Sequence, residues 1–228
     1  MSDFRSLILA HKGKRVCVMG GADRLASDLA SVEADVYIST NAHGVDIRKP
    51  DYLLAMDNIH GRLKVPMGTF LREKSDAPII SPHPYADIPL VDWPQNPRFV
   101  LSGMIGAWCA YMMGAKVVIL AGMDGYGGGD SGWLDEARKI AREINCPVRV
   151  AGGGPLTKVW PAYDPGERFG RYKPSTAIDG WLGRDGAITI RVVKRCFIRG
   201  AERMPGDELT VYRHEVKHEL KHKSVREI

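Results

Sequence analysis

Short apolar runs alternate with helical patterns along the first 150 residues, and this alternation constrains the fold more than any other feature of the chain. The apolar runs predict strands at residues 15–19, 36–39, 52–56, 78–81, 116–121 and 148–150. Helical patterns lie between several of them, at residues 25–31, 104–115 and 133–144, with Ser102 as the expected N-cap of the second. This succession is typical of an α/β protein with a mostly parallel sheet and helices on both faces.

The last third of the chain follows a different pattern. Residues 152–186 are rich in Gly, Pro and aromatic residues without periodicity, which predicts an irregular segment and a linker. Residues 188–211 then predict two strands joined by a Pro-Gly turn, and a basic amphipathic helix follows them. We therefore predict two domains, residues 1–185 and a small β-rich docking module at 186–228 that ends in a helix.

A proline-rich segment follows the fourth predicted strand. It reads SPHPYADIPLVDWPQNP and holds five prolines, which remove backbone donors and disfavour regular ladders. We predict a loop here, long enough to carry function or to form an assembly surface.

Apolar patterning and cysteine spacing exclude several classes of protein. The chain has no apolar run of 18 residues, and its N-terminal MSDFRSLILAHKGKR lacks the apolar core of a signal peptide. We expect a cytoplasmic protein that has no membrane partner. The four cysteines, Cys17, Cys109, Cys146 and Cys196, form no C-x-x-C pair, so neither a disulfide framework nor a zinc knuckle is indicated.

The net charge of +5 is concentrated late in the chain, between residues 184 and 223. A basic segment can meet nucleic acid, phosphate or an acidic protein surface. No aromatic-plus-basic motif of a nucleic-acid module accompanies it, so nucleic-acid binding is not indicated.

The metalloprotease pattern H-E-x-x-H occurs twice in HEVKHELKH, residues 214–222, where the two copies overlap at His218. Histidines four apart share a helix face and can hold zinc, but such a site also needs a third ligand and a cleft. Here the apolar stripe of Tyr212, Val216 and Leu220 lies on the other side of the helix, so the histidines face water. We favour a basic amphipathic helix over a zinc protease.

The best candidates for a ligand site follow the predicted strands. In an open parallel sheet the loops at the carboxyl ends of strands converge where the strand order reverses, and ligands bind there. The residues at these positions are Gly20 and Gly21, then Ser39, Thr40, Asn41 and His43, then Asp57, and finally Asp124. Ser102 and Gly103 join them as the residues that open the helix before the last of these strands. Glycines allow backbone amides to approach a phosphate, and the helix N-terminus after them favours negative charge.

Each of these residues also has a purely structural interpretation. The Gly20-Gly21 turn fits neither G-x-G-x-x-G nor the P-loop pattern. Asn41 could form only an Asx-turn, and His43 could be a solvated loop residue. Asp57 and Asp124 could cap backbone amides, or share a magnesium ion or a ribose contact. His83 and Tyr85 could act in acid–base chemistry or simply pack in the proline-rich loop.

Four segments together resemble a known family. They read GKRVCVMGGADRLASDL, ADVYISTNAHG, PDYLLAMD and SGMIGAWCAYMMGAKVVILAGMDGY, and they cover roughly residues 13–126. This succession resembles the Rossmann-like fold shared by the archaeal 6-hydroxymethylpterin diphosphokinase-like proteins and certain bacterial sialyltransferases. The resemblance implies a Rossmann-like, nucleotide-binding domain and a nucleotide-dependent transferase, either glycosyltransferase or diphosphokinase-like.

The resemblance also implies roles for individual residues. The first turn, with Gly20 and Gly21, would lie under the nucleotide phosphates, and Asn41 would contact the nucleotide. Ser102 and Gly103 would start the helix that faces the phosphates, while Asp124 and Tyr126 would border the substrate. Where the family's first turn reads G-P-S, this chain has Ala22-Asp23-Arg24, which puts a carboxylate near the phosphate position and an arginine beside it.

The C-terminal segment RCFIRGAERMPGDELTVYRHEVKHELKHKSV resembles a short segment appended to proteins of tailed bacteriophages. The resemblance implies a phage origin, a location in the host cytoplasm or the virion, and phage structural proteins as possible partners of this module. We also expect a homo-oligomer.

Two functions follow as hypotheses. The first is a phage-encoded transferase that uses a nucleotide or nucleotide-sugar, with Asp57 or Asp124 holding Mg²⁺ and His83 as a candidate base. The second is a non-catalytic virion or assembly protein that keeps the Rossmann-like body as a scaffold. The fold alone does not choose between them.

Overall fold

A computed structural model of the chain describes residues 3–90, 101–124, 133–170, 187–198, 201–212 and 223–227. The chain divides into two compact units, Met1–Lys173 and Pro174–Ile228, which are described separately. The predicted domain boundary after residue 185 falls in the undescribed stretch 171–186. Within the described ranges, no helix combines the length and the apolar character needed to cross a lipid bilayer.

The described residues of the first unit form a seven-stranded sheet in which every recorded strand pairing is parallel. The strands are β1 (Arg15–Met19), β2 (Val36–Thr40), β3 (Tyr52–Leu54), β4 (Ile79–Ser81), β5 (Ile88–Pro89), β6 (Val117–Ala121) and β7 (Val148–Val150). Their order across the sheet is β5-β4-β3-β2-β1-β6-β7. The predicted α/β, Rossmann-like parallel sheet is confirmed.

The central strands are buried on both faces because helices cover both faces of the sheet. All five residues of β2 and of β6 are buried, and in β1 only Arg15 is partly exposed. Strands buried on both sides read as continuous runs rich in Val, Ile and Leu. The sequence VVILA of β6 shows why this strand is the easiest to predict.

The helices are α1 (Leu25–Ser31), α2 (Met67–Lys74), α3 (Ser102–Met112) and α4 (Trp133–Glu143). Leu25 of α1 packs in one buried cluster with Cys17 and Met19 of β1. Gly106 of α3 lies instead against Val18. Since successive side chains of a strand point to opposite faces, α1 and α3 cover opposite faces of the sheet.

The strand order reverses between β1 and β6. From β1 the chain builds outward through β2, β3, β4 and β5, and then crosses back through α3 to place β6 on the other side of β1. The loops after β1 and β6 therefore leave the sheet side by side. This reversal is the place where open α/β sheets bind ligands.

Three features differ from the sequence-based expectation. The predicted loop after β4 contains the two-residue strand β5, which Pro89 can join because β5 lies at the edge of the sheet. Helix α2 was not predicted, since its polar composition hides the buried Met67 and Leu71. Ser102 is the first residue of α3 rather than its N-cap, and Leu101 occupies the cap position without a side-chain hydrogen bond.

The second unit is β-rich, as expected. β8 (Ala187–Val192) pairs antiparallel with β11 (Glu208–Tyr212) and β12 (Val225–Glu227), and β9 (Cys196–Ile198) pairs antiparallel with β10 (Ala201–Arg203). The run ITIRVVKRCFI, predicted as one strand, is thus divided between β8 and β9. The predicted terminal helix and the motif HEVKHELKH lie outside the described residues.

Gly106 offers a test of the packing of α3 on the sheet. A side-chain carbon at Gly106 would lie 2.7 Å from Cγ1 of Val18, which is fully buried in β1. We expect Gly106→Val to lower the free energy of unfolding by about 1–3 kcal/mol, because a well-packed core does not accept added volume.

The matched control is Gly61→Val, since a side chain there meets no atom within 4 Å. Urea unfolding of both variants measures the difference. Equal stability of the two variants would contradict the described packing.

Candidate functional site

A cavity of about 400 Å³ opens at the carboxyl ends of β1, β2, β3 and β6. Its described lining residues are Gly20, Gly21, Ala22, Thr40, Asn41, His43, Asp57, Leu101, Ser102, Gly103, Gly122, Met123, Asp124 and Trp133. The loops that the sequence indicated as separate candidates thus border a single cavity. Tyr126 lies in the undescribed stretch 125–132.

The turns after β1 and β6 are bonded to each other. The Gly20 N–H donates to Ala121 O at 2.8 Å, and the Ala22 N–H donates to Gly122 O at 2.9 Å. A side chain at Gly20 would collide with Gly122 O at 2.4 Å, so glycine is required there. The Gly21 N–H has no partner among the described residues, so this amide is available to a ligand.

Asn41 ends β2 in an uncommon conformation. Asn41 and Ala42 have φ values of +50° and +65°, in the left-handed region that Asn tolerates better than most residues. The Asn41 Nδ2 donates to Asp57 Oδ2 at 3.4 Å. Its Oδ1 is buried without a hydrogen-bond partner in the described part of the chain. Since a carboxylate only accepts, Asp57 fixes the orientation of the amide and leaves Oδ1 as the atom without a donor.

His43 lies in the cavity wall. Its position after β2 was the one sequence feature that pointed to this location. A side-chain carbon at Gly21 would lie 2.6–2.8 Å from three ring atoms of His43, so the ring occupies the space that glycine leaves. The ring remains accessible from the cavity. Surrounding protein atoms nevertheless desolvate it and lower its pKa, and the nearby His60 lowers this pKa further.

Asp57 is held by contacts behind the cavity. The Tyr85 hydroxyl donates to the backbone oxygen of Asp57, and the His83 Nε2 lies 3.0 Å from Met56 O. Because a carbonyl only accepts, Nε2 is the donor in this contact. The rings of His83 and Tyr85 stack with centroids 5.7 Å apart. His83 is not among the described residues that line the cavity.

The N-terminus of α3 forms another part of the wall. The Ser102 Oγ accepts a long, 3.4 Å hydrogen bond from the Met56 N–H, which links α3 to the loop after β3. The Leu101 N–H donates to the buried carboxylate of Glu136 at 3.0 Å. A side chain at Gly103 would lie 3.1 Å from the Met123 sulfur, so glycine lets α3 approach the turn after β6. The positive end of an 11-residue helix therefore faces the cavity.

Asp124 is engaged by an arginine. The Arg24 Nε lies 2.7 Å from Asp124 Oδ1 and 3.6 Å from Asp28 Oδ2. The first contact brings opposite charges together without the alignment of a hydrogen bond. The other two guanidinium nitrogens donate to Gly152 O at 2.8 Å and to Gly153 O at 2.5 Å. Arg24 therefore ties the first turn to the loop after β7.

This network accounts for the departure from G-P-S in the first turn. The side chain of Asp23 is exposed and is not among the described lining residues, so no carboxylate enters the cavity from this turn. Arg24, the arginine beside Asp23 in this turn, makes its contacts within the protein. Asp28 is only 2% exposed and accepts the Gly122 N–H at 2.8 Å. Arg24 thus contacts the carboxylates of Asp28 and Asp124 and links the loops that follow β6 and β7.

Asp57 and Asp124, the candidate metal ligands, both line the cavity. Within the part of the chain that the structure describes, no three His, Cys, Asp or Glu side chains come together as a metal-ligand cluster. The guanidinium of Arg24 already faces Asp124. The described donor set is therefore a poor fit for a resident Mg²⁺ ion bound by protein alone.

The sheet order and a cavity at the strand reversal define an α/β protein of the Rossmann-like class. Among solved structures, the chain is similar to the sialyltransferase CstII from Campylobacter jejuni. The complex with cytidine-5'-monophosphate (CMP) matches with a TM-score of 0.50 and 10% identity, over 75% of this chain and 98% of that one. The complex with CMP-3FNeuAc matches with a TM-score of 0.50 and 12% identity, over 74% and 98%.

At these identities the likeness shows the fold, which is sialyltransferase-like. No protein-family model matches the chain, and no curated protein matches its sequence.

Arg24 offers a test of the network beneath the cavity. We expect Arg24→Met to lower the free energy of unfolding by about 2–3 kcal/mol, because it leaves the buried Asp28 carboxylate without its cation. The matched control is Arg138→Met, which breaks an exposed i,i+3 pair with Asp135 and should change stability by less than about 0.5 kcal/mol. Urea unfolding measures both. Equal effects would show that Arg24 does not tie these elements together.

Proposed function

We propose that the first unit is a nucleotide-dependent glycosyltransferase domain that binds a cytidine-type sugar nucleotide in the cavity at the β1–β6 reversal. The observation that carries this proposal is that the unbonded Gly21 amide, the α3 N-terminus and Asn41, whose Oδ1 has no partner among the described residues, border one cavity. The similarity in fold to a sialyltransferase solved with CMP and with CMP-3FNeuAc supports the choice of nucleotide.

The cavity has the size and the polarity of a small-molecule site. Its volume of about 400 Å³ lies within the range of ~300–1,000 Å³ that is usual for ligand pockets. In our proposal, the phosphate lies against the Gly21 amide and the N-terminal residues Ser102 and Gly103 of α3, where the helix dipole favours an anion. Asn41 accepts a hydrogen bond from a ribose hydroxyl or from the amino group of the base.

The proposed reaction transfers the sugar to an acceptor hydroxyl. The hydroxyl oxygen forms a bond to the anomeric carbon while the bond from that carbon to the phosphate oxygen breaks, and the nucleotide leaves with the electron pair. The hydroxyl proton passes to a base. The phosphate-binding groups stabilise the charge that develops on the leaving group.

Asp57 is the candidate that fits the role of base best. It lines the cavity, and no ion pair to its carboxylate is found among the described residues. Asp124 lines the same cavity but faces Arg24, so we assign it to orienting the substrate rather than to accepting a proton. In our proposal, His83 positions Asp57 through its contact with Met56 O, and Tyr126 borders the substrate.

We propose that nucleotide binding itself needs no Mg²⁺. To bind Mg²⁺, Asp124 would have to give up its contact with Arg24. If Asp57 were the one protein ligand, the remaining coordination positions of the ion would be filled by oxygens of the nucleotide and by water. A pterin diphosphokinase-like activity, in which a diphosphate group is transferred, would require more positive charge than the described lining supplies.

An assembly protein built on the same scaffold is the second candidate. Specific support comes from exposed apolar side chains, with Val193 and Met204 in the second unit 45% and 52% exposed, and Ile59 and Leu63 after β3 both 55% exposed. Such residues can contact a partner protein, although single exposed apolar residues are also ordinary. A phage origin is supported by the resemblance of the C-terminal segment alone.

Ligand-induced stabilisation tests the proposed binding site. We expect CMP to raise the melting temperature, with or without Mg²⁺, because a ligand at a hundred times its Kd stabilises a fold by about 2.7 kcal/mol. Gly21→Asp should abolish the shift, since its side chain meets the His43 ring and adds a negative charge. Gly61→Asp is the control on an open surface and should keep it.

His214→Ala and His218→Ala should also leave the shift intact, because we place neither residue in the cavity. Uridine and adenosine monophosphates serve as comparisons for the base. No shift with any of the three nucleotides would reject the transferase in favour of the assembly protein. Zinc-dependent activity that these two alanine variants remove would favour the protease.

Turnover tests the role of Asp57. With a CMP-sugar donor and a sugar acceptor, we expect Asp57→Asn to lower kcat by about 10²–10⁴-fold, the range that general-base catalysis contributes. Asp87→Asn, which affects an exposed pair with Arg72 at the sheet edge, is the control and should retain activity. CMP release measures the rate. Full activity of Asp57→Asn would assign the base to another residue.

A further inference from the structure

The charges of the cavity wall are unusual for a phosphate site. Its described lining includes the carboxylates of Asp57 and Asp124, but no Lys or Arg. Arg24 reaches Asp124 and is already shared with Asp28 and two carbonyl groups. Among the described lining residues, His43 is therefore the one side chain that can acquire a positive charge.

The backbone of the turn after β2 fixes the position of His43. The His43 N–H donates to Thr40 O at 2.9 Å, and the His43 carbonyl accepts from the Ser39 hydroxyl at 2.7 Å. The ring then covers Gly21. A Cβ atom added at Gly21 would lie 2.7 Å from Nε2 and 2.8 Å from Nδ1 of this ring. An anion bound by the Gly21 amide would therefore lie beside the imidazole.

The ring is open to a ligand. No hydrogen bond to either of its nitrogens is found among the described residues, and the ring is accessible from the cavity. The ionisable groups on the surrounding elements are His60 and Asp57 after β3, Asp46 and Arg48 on its own turn, Asp23 and Arg24 in the first turn, and Asp124, paired with Arg24, after β6. Of these, His60 opposes a positive charge on the ring.

We propose that His43 takes up a proton when a nucleotide phosphate enters the cavity, and that the resulting imidazolium neutralises the phosphate beside Gly21. This inference rests on the proposed function, because it requires a nucleotide in this cavity. It assigns His43 a role in selecting phosphate-bearing ligands over uncharged nucleosides.

The direction of the pH dependence follows from the two states of the ring. In the empty cavity desolvation lowers the pKa of His43 below its usual 6.5, so the ring is neutral at pH 7. A neighbouring phosphate favours the charged form and raises the pKa in the complex. Affinity is therefore highest below the free-state pKa and falls, by up to about tenfold per pH unit, as the pH rises through the bound-state pKa.

The test needs a ligand whose own charge is constant. CMP is unsuitable because the second proton of a phosphomonoester titrates near pH 6. The probe is the methyl phosphodiester of CMP, and cytidine is the uncharged comparison. Calorimetric titrations between pH 5.5 and 8, in buffers of different ionisation enthalpy, give both the Kd and the number of protons taken up.

We expect the wild-type protein to take up a substantial fraction of one proton with the phosphodiester and none with cytidine. His43→Gln should bind the phosphodiester more weakly at low pH, by at least about tenfold, with no proton uptake and a flat pH profile. His60→Gln is the matched control and should keep the proton uptake. NMR titration of the His43 imidazole in the wild-type protein gives a readout that does not depend on any variant.

Two outcomes overturn the inference while leaving the proposed function in place. One is phosphodiester binding to the wild-type protein without proton uptake, and the other is equal uptake by His43→Gln. If neither the phosphodiester nor cytidine binds to the wild-type protein, the proposed function fails, and this inference fails with it.

Discussion

β1 pairs in parallel with β6 over five residues, from Arg15 opposite Val117 to Met19 opposite Ala121. The two strands are distant in sequence, so their pairing brings together two turns that the chain order would keep apart. Those turns then share hydrogen bonds, and only a glycine at position 20 fits between them. The cavity, the approach of α3 and the position of Asp124 all depend on this contact, because each is attached to one of the two turns.

The contacts of Arg24 explain why the cavity is polar but not strongly cationic. Arg24 is surrounded by Asp28, Asp124 and the carbonyl groups of Gly152 and Gly153, so its charge is used to hold β6 and β7 in place. In our proposal, the charge of a bound phosphate is therefore stabilised by backbone amides, by the α3 dipole and by His43. An electrostatic arrangement of this kind suits a ligand with one phosphate better than one with several.

Much of the fold was predictable because its signals are local. Buried parallel strands such as VVILA carry their apolar pattern in consecutive residues, and the strand ends then locate Asn41, Asp57 and Asp124. Other features were not predictable, since they depend on distant residues. Arg24 bonds to a carbonyl 128 positions away, and the fit of His43 against Gly21 exists only after β1 and β2 pair. The strand β5 was likewise not predictable, because Pro89 is compatible with a strand only at the edge of a sheet.

The most direct measurement of the central claim is the map of backbone amide NMR shifts when CMP is added to the full chain. We expect the largest changes in the loops after β1, β2 and β6 and at the start of α3, above all at Gly21, Asn41 and Gly103. Changes of equal size at the opposite end of the sheet, around Tyr52 and Lys116, or no changes in the first unit at all, would contradict it.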